Sequence, residues 1–240
     1  MKMTEEHTQE QGTGHTCHPG GSRKACVSQV PIFNHLGHEQ MNEIMNVVRH
    51  VSFKKGETIF GAGDWSDTLY IIHQGKVKIY RLAESGKEQI LTVLYPGDFT
   101  GEYALFNEST HHDYAEAMEK TNICMIKKED LQNFLMKYPT ISLKMLTEFS
   151  KRLEESGSQT TNFATERVET RIALYLADLA NKSGSETIKL PMSRHDLASY
   201  LGTSPETISR RLADLEDRGL IKQLSRTNIE IIDMDGLLLI

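Results

Sequence analysis

Residues 192–220 read MSRHDLASYLGTSPETISRRLADLEDRGL, and this stretch decides the fold because it carries two helix signatures separated by a tight turn. Ser193 and Asp196 have the Ser-x-x-Asp spacing of a capping box, in which a hydroxyl and a carboxylate satisfy backbone amides left free at a helix start. Gly202 can end that helix in the left-handed conformation, and Ser204 followed by proline starts the next one. The pattern predicts a helix-turn-helix.

The second predicted helix divides its residues between two faces. Ile208, Leu212 and Leu215 fall at i, i+4 and i+7 on an apolar face. The opposite face carries polar side chains that can reach base edges, since arginine binds guanine through two hydrogen bonds, glutamate accepts from cytosine and serine suits either role. The predicted DNA contacts of this helix and its start are Ser204, Glu206, Thr207, Ser209, Arg210 and Arg211.

The residues after Gly219 favour a DNA-binding unit over the alternative, an ordinary helical hairpin with a solvated charged face. Two short apolar segments, residues 220–224 and 229–232, flank a polar turn and predict a β-hairpin. A helix-turn-helix followed by such a hairpin is a winged helix, with Arg226 at the wing tip to meet phosphate. We therefore expect residues 165–240 to form a winged helix-turn-helix domain that binds double-stranded DNA.

The composition is ordinary for a protein with two modest domains: 240 residues, of which 38% are hydrophobic and 25% charged. The formal net charge of -6 argues against a general binder of polyanions, because such affinity comes from neutralised phosphates. No apolar run approaches the ~18 residues that span a bilayer, and the first ten residues lack the apolar segment of a signal peptide. We expect a cytoplasmic protein with no membrane partner.

Residues 1–29 are polar and rich in Gly, His and Ser, so this predicted flexible tail cannot form a core of its own. It holds two of the three cysteines, Cys17 and Cys26, with His15 and His18 beside the first as candidate auxiliary ligands. Three unevenly spaced cysteines without a Cys-x-x-Cys pair do not form a disulfide scaffold. The tail cysteines are not explained by burial.

Residues 30–138 alternate short strands with glycine turns, which predicts an antiparallel β-barrel or sandwich as a sensor domain. Cys124 falls on the last strand, where burial as a small apolar residue is the plain alternative to a chemical role. The expected strands cover residues 68–72, 76–81, 88–94, 114–118 and 121–126, with helices over 39–50 and 129–138.

Residues 139–164 predict one long helix with apolar or small residues spaced 3, 4, 3, 4 and 3 apart, as in a coiled-coil seam. Packing against its own sensor domain is the alternative, but the seam continues past that domain, which favours a homodimer. Gly157 weakens its middle by about 1 kcal/mol relative to alanine. The predicted seam comprises Leu146, Phe149, Leu153, Ser156, Thr160 and Phe163.

This layout resembles the CRP/FNR transcription regulators from about Pro31 to the C-terminus. Glu206, Ser209 and Arg210 match the E-x-x-S-R recognition motif of the FNR-like (FNR/FLP) branch. The resemblance implies an α+β fold with an N-terminal cyclic-nucleotide-binding-like antiparallel β-roll, a long dimerisation helix and a C-terminal winged helix-turn-helix. It also implies that these three residues read a palindrome close to TTGAT-N4-ATCAA, and that RNA polymerase is a partner.

The resemblance bears on the effector as well. In the cyclic-AMP branch the ligand phosphate is held by a Gly-Glu pair and, about ten residues later, by an arginine. This chain keeps Gly101 and Glu102 but has His111, His112 and Asp113 where the arginine is expected. A buried phosphate would lack its fixed cation, which argues against cyclic AMP.

The FNR branch holds a [4Fe-4S] cluster with three tail cysteines and a central one at the position of Cys124. Here only Cys17 and Cys26 stand in the tail, and Val30 occupies the place of a further ligand. Three interpretations stay open: a thiol–disulfide switch between the tail and Cys124, a cluster completed by histidine or carboxylate, and no redox role. A zinc site within the tail is a fourth.

The sequence thus predicts a homodimeric transcription regulator that responds to oxygen or thiol redox state and is not an enzyme. One rival is a CRP/FNR-type regulator with a small organic effector in the β-roll and no redox role. A rival of another class is a thiol oxidoreductase using Cys17 or Cys26, which would lack a Cys-x-x-Cys pair and leave the winged helix unexplained.

Overall fold

The computed structural model describes residues 30–103 and 109–240. It consists of a β-roll, a long helix and a C-terminal helical unit with a small sheet, which confirms the predicted α+β fold class. The predictions made for Cys17, Cys26, His15 and His18 lie outside the described residues.

The β-roll follows helix α1 (His38–Val47) and is built from two four-stranded antiparallel sheets and a two-stranded ribbon. The strands are β1 (Arg49–Phe53), β2 (Thr58–Phe60), β3 (Trp65–Ser66), β4 (Thr68–Gln74), β5 (Val77–Leu82), β6 (Glu88–Leu94), β7 (Phe99–Thr100), β8 (Ser109–Thr110), β9 (Tyr114–Ala117) and β10 (Thr121–Lys127). The first sheet has the order β1-β10-β4-β7, the second has the order β2-β9-β5-β6, and β3 pairs with β8.

The predicted strands correspond to β4, β5, β6, β9 and β10, whereas the first predicted helix was wrong at its end. It was expected to reach residue 50, but α1 ends at Val47 and Val48 is already extended. His50 instead lies on β1, directly opposite Cys124 on β10. Cross-strand pairing of the β-branched segment decides the conformation here, because helical spacing alone does not specify where a helix stops.

A short helix α2 (Lys128–Lys137) follows the β-roll, and α3 begins at Pro139 and ends at Thr165. The C-terminal unit then contains α4 (Val168–Ser183), β11 (Thr187–Lys189), α5 (Arg194–Tyr200), α6 (Pro205–Asp217), β12 (Ile221–Gln223), β13 (Asn228–Ile231) and α7 (Met234–Leu238). Its sheet has the order β11-β13-β12, so the predicted hairpin forms. Helix α7 was not predicted.

Among the residues that the structure describes, buried apolar side chains form three clusters. One fills the β-roll between its two sheets. A second lies between the first sheet, α1, α2 and α3, and it includes Cys124 together with Val30, Ile32 and Phe33, all fully buried. The third is the core of the C-terminal unit, and it extends onto β5 and β6 of the β-roll.

Candidate DNA-binding face and sensor residues

Both helix starts of the helix-turn-helix are capped by the predicted serines, but the capping box at Ser193 is half formed, because the Asp196 carboxylate accepts from the Ser193 hydroxyl and not from a backbone amide. The Ser193 hydroxyl oxygen accepts from the amide of Asp196 at 3.1 Å, and its proton goes to the Asp196 carboxylate at 2.6 Å. The Ser204 hydroxyl accepts from the amide of Thr207 at 3.2 Å at the start of α6. Gly202 between the helices has a φ of +66°, the left-handed conformation that glycine adopts without strain. The tight turn therefore fixes α6 relative to α5.

Helix α6 presents the predicted recognition residues to solvent. Ile208, Leu212 and Leu215 are fully buried beneath it, and on the outside Glu206, Ser209 and Arg210 are exposed. Hydrogen bonds from the backbone amide of Glu206 and from Ser204 hold the pKa of the Glu206 carboxyl below its ordinary value. The carboxylate is thus a charged acceptor, and Arg210, one helical turn later along the same face, is a charged donor.

Arg211 takes a different position from its neighbour Arg210. Its Nη1 lies 3.0 Å from Asp214 on the same helix and 3.5 Å from Glu169 on α4. The same Glu169 also pairs with Arg218 at 2.7 Å. These ion pairs hold α6 against α4, so Arg211 lies at the flank of the predicted recognition face.

The predicted wing tip is exposed at Arg226, and a residue that the sequence interpretation left without a role supports it. Arg194, at the start of α5, donates to the main-chain oxygen of Arg226 at 3.3 Å and to the side chain of Gln223 at 2.7 Å. Gln223 in turn donates to Glu216 of α6 at 2.8 Å. The wing is therefore tied to both helices of the motif by side chains.

Cys124 is fully buried on β10, and it is disulfide-bonded. Its Sγ lies 3.4 Å from Nδ1 of His50 on the neighbouring strand. The two other cysteines of the chain, Cys17 and Cys26, lie outside the described residues. Within the described ranges, no group of three His, Cys, Asp or Glu side chains is placed to hold a metal ion.

The Gly101–Glu102 pair directly follows β7 and lines a large cleft. A Cβ on Gly101, which has a φ of +85°, would collide with the main-chain oxygen of Thr68. Arg152 of α3 reaches Glu102 at 3.3 Å and donates to the main-chain oxygen of Phe99 at 2.7 Å. The positively charged partner of Glu102 is therefore Arg152 on the long helix α3.

The cleft has a volume of about 1590 Å³ and runs from the β-roll along α3 towards the C-terminal unit. His111 lies at its β-roll end, stacked on Phe60 with ring centroids 3.7 Å apart. Burial lowers the pKa of His111, and its Nε2 has no hydrogen-bond partner among the described residues. Asp113 forms an ion pair with Arg81 at 2.5 Å. It is the last of the three residues found where the resemblance led us to expect an arginine.

The predicted dimer seam is divided between two faces of α3. Leu146 and Leu153 are 60% and 76% exposed, and Ser156 and Thr160 are exposed with them. Phe149 is half-buried and packs against the β-roll, with its ring 6.2 Å from that of Phe99.

Leu143, which the predicted seam omitted, is 65% exposed beside Leu146. Phe163 also lies on α3, but its side chain is not among those described. In the part of the chain that the structure describes, no helix is long and apolar enough to span a bilayer.

Comparison with known proteins agrees with this architecture. Residues 50–138 match the cyclic nucleotide-binding domain family, and residues 170–240 match the Crp-like helix-turn-helix domain family. The chain is 35% identical to the probable transcriptional regulator flp of Lacticaseibacillus casei over 199 residues, which are 83% of this chain and 90% of that protein. It is 28% identical to the anaerobic regulatory protein of Haemophilus influenzae, over 94% of this chain and 91% of that protein.

Among solved structures, FixK2 from Bradyrhizobium japonicum is similar, with a TM-score of 0.70 and 25% identity over 80% of this chain and 96% of that chain. A β-roll followed by a long helix and an exposed recognition helix defines the class of DNA-binding transcriptional regulators. Within that class the chain belongs to the CRP/FNR family, which confirms the resemblance inferred from the sequence.

Proposed function

We propose that the chain is a homodimeric, sequence-specific regulator that responds to thiol redox state through Cys124. The observation that carries the sensor assignment is the disulfide at a fully buried cysteine in the core shared by the β-roll and α3. The name of the relative from Haemophilus influenzae, an anaerobic regulatory protein, supports a signal linked to oxygen.

DNA reading is assigned to the exposed face of α6. Arg210 donates to guanine, Glu206 accepts from cytosine and Ser209 completes the contact with a half-site of a TTGAT-N4-ATCAA-like palindrome. Ser204 and Thr207 orient the start of the helix, and a palindrome requires two such helices about 34 Å apart. Phosphate contact is assigned to Arg226 at the wing.

Pairing of two chains is assigned to the exposed leucines of α3. Leu143, Leu146 and Leu153 are each more than half exposed, whereas the opposite face of the helix packs on the β-roll. Burying such side chains against a second copy is favourable by about 1.5–3 kcal/mol each. RNA polymerase is the expected further partner of a dimer bound to its operator.

The proposed switch joins Cys124 to a cysteine of the tail. Forming the disulfide removes two electrons and two protons from a pair of thiols, and a peroxide or a small-molecule disulfide accepts them. A [4Fe-4S] cluster would need four ligands, and the chain has three cysteines. His50 lies beside Cys124, so a cluster would have to combine all three cysteines with a histidine, whereas a disulfide requires only Cys124 and one tail cysteine.

The test is binding to the palindrome by fluorescence anisotropy with and without a dithiol reductant, together with peptide mapping of the disulfide under non-reducing conditions. We expect Cys124→Ser to remove the effect of the reductant while leaving DNA binding in place. Cys17→Ser and Cys26→Ser, made singly, identify the partner cysteine. A redox effect that persists in Cys124→Ser would contradict the assignment.

A second candidate is favoured by the cleft of about 1590 Å³ beside Glu102 and Arg152. In that interpretation a small organic effector enters the cleft and shifts α3 without any redox step. Cyclic AMP is not the proposed ligand, because Arg152 already pairs with Glu102 and the expected arginine position is occupied by His111 to Asp113. Effector-dependent DNA binding by a variant lacking all three cysteines would favour this candidate.

A further inference from the structure

The outer face of the second sheet of the β-roll is covered by the C-terminal unit. Tyr80 on β5 and Ile90 and Val93 on β6 are all at most 9% exposed, although they point away from the interior of the roll. They belong to the same buried cluster as Leu197 and Leu201 of the helix-turn-helix. We call these three residues, with Lys76, Lys78 and Gln89 beside them, the docking platform.

Two hydrogen bonds define the position of the DNA-binding unit on the docking platform. Lys76 donates from Nζ to the main-chain oxygen of Pro191 at 3.0 Å, just before α5. Gln89 donates from Nε2 to the main-chain oxygen of Tyr200 at 3.3 Å, at the end of α5. These two contacts bracket α5 at its beginning and its end, so they fix its direction as well as its position.

Lys78 distinguishes the docking platform from a permanently buried apolar core, because it places a charged side chain within it. It is 8% exposed, with Nζ 2.9 Å from Glu88 and 3.5 Å from Glu116, and it lies 4.8 Å from the centroid of the Tyr80 ring. Burial opposes its charge, but hydrogen bonding to Glu88 and the nearby carboxylates, Asp196 of α5 included, leave the pKa of Lys78 raised. These charged groups can return to water when the domains separate, as is common at reversible interfaces.

The docked arrangement leaves the recognition face accessible. Glu206, Ser209 and Arg210 on α6 are exposed while α5 lies on the platform. The contacts therefore constrain the orientation of the helix-turn-helix without covering the residues that read bases.

We propose that the docking platform holds the DNA-binding unit in its DNA-reading orientation, so that separation from the platform weakens operator binding. The inference rests on the proposed function, since a palindrome requires two recognition helices at a fixed spacing. A unit tethered only through the end of α3 samples many orientations, and the second half-site contact then loses effective concentration. Docking restricts the orientation of the unit before the protein binds DNA, so the effective concentration at the second half-site is kept.

The test uses full-length Ile90→Glu, which places a carboxylate in the platform and outside the interior of the roll. The matched control is Leu82→Glu, the same kind of change at a 48% exposed position on the same sheet. We expect Ile90→Glu to weaken binding to the palindrome by roughly tenfold or more, and Leu82→Glu to bind as the unmodified protein does. Emission of the single tryptophan, Trp65 on β3, reports that the β-roll remains folded.

Calorimetry tests docking without DNA. Docked domains unfold together, so we expect one heat-absorption peak for the unmodified protein and two for Ile90→Glu. If Ile90→Glu does not fold, Lys76→Met removes only the contact to Pro191, and we expect binding roughly threefold weaker. Unchanged or tighter DNA binding by a folded platform variant would overturn the inference. Failure of the unmodified protein to bind the palindrome would instead overturn the proposed function.

Discussion

Arg152 on α3 and Glu102 after β7 form an ion pair, with Nη1 and Oε1 3.3 Å apart, across the junction between the long helix and the β-roll. The guanidinium also lies 4.2 Å from the centroid of the Phe99 ring and donates to its main-chain oxygen. One side chain thus connects the helix expected to pair two subunits with the loop that lines the cleft. We therefore expect a shift of α3 to move the loop at Glu102.

Arg152→Ala removes the donor from both Glu102 and the Phe99 carbonyl. We expect the free energy of unfolding to fall by about 1–3 kcal/mol, because a partly buried carboxylate loses its charged partner. Denaturation by urea measures the change. In a double-mutant cycle, Glu102→Gln should reduce the cost of Arg152→Ala; strictly additive costs would show that the pair is not coupled.

Arg210→Ala and Arg226→Ala should affect DNA binding in different ways. Loss of Arg210 removes a base contact, so we expect a cost of about 1–3 kcal/mol on the palindrome and relaxed preference at one base pair. Loss of Arg226 removes a phosphate contact, so binding should weaken on all sequences and the salt dependence should become shallower. Anisotropy titrations on matched and substituted palindromes at several salt concentrations separate the two. Unchanged sequence preference in Arg210→Ala would count against its assignment.

We expect His111 to make the stability of the β-roll sensitive to pH. Burial lowers the pKa of His111 in the folded protein, so below the ordinary value of 6.5 the unfolded chain binds a proton that the folded chain does not. Because protons bind the unfolded chain preferentially, we expect the free energy of unfolding to fall as the pH is lowered from 7.5 to 5.5.

His111→Phe keeps a ring on Phe60 and should flatten that pH dependence, as measured by the melting temperature across the same range. His112→Phe, at an exposed neighbouring position, is the control and should behave as the unmodified protein. Equal slopes for all three proteins would assign the pH dependence to other groups.

Leu153→Glu should weaken the proposed dimer. A charge at this 76% exposed leucine would be buried without a partner in the pair of α3 helices. Light scattering is expected to show a shift towards the monomer mass, with loss of affinity for the palindrome. Lys144→Glu, at an exposed position on the side of α3 away from Leu146 and Leu153, introduces the same side chain and should remain dimeric. A fully dimeric Leu153→Glu protein would place the subunit contact elsewhere.

Local features of the sequence predicted the DNA-binding unit well. The caps at Ser193 and Ser204 and the left-handed Gly202 are determined by a few adjacent residues, and the structure contains all three. The buried face of α6 followed from helical spacing for the same reason.

Contacts between distant segments were not predictable in this way. Helix α3 has apolar side chains on two sides, and spacing alone could not tell that Phe149 packs on the β-roll while Leu143 is exposed. The pairing of Arg152 with Glu102 joins positions fifty residues apart. The docking platform could not be predicted from the sequence either. Tyr80 and Ile90 have the spacing of ordinary strand residues, and only the structure shows that they are buried in the cluster that contains α5.

Val30, Ile32 and Phe33 are fully buried in the cluster that contains Cys124, so the first described residues of the chain are anchored beside this cysteine. In the proposed switch, a cysteine joined to this anchor by a short length of chain would have an effective concentration at Cys124 that does not depend on the protein concentration. Disulfide formation with Cys124 would then be intramolecular and follow first-order kinetics. If the proposed switch operates, diluting the protein should leave the rate of intramolecular disulfide closure unchanged, and a protein present in few copies would respond as fast as an abundant one.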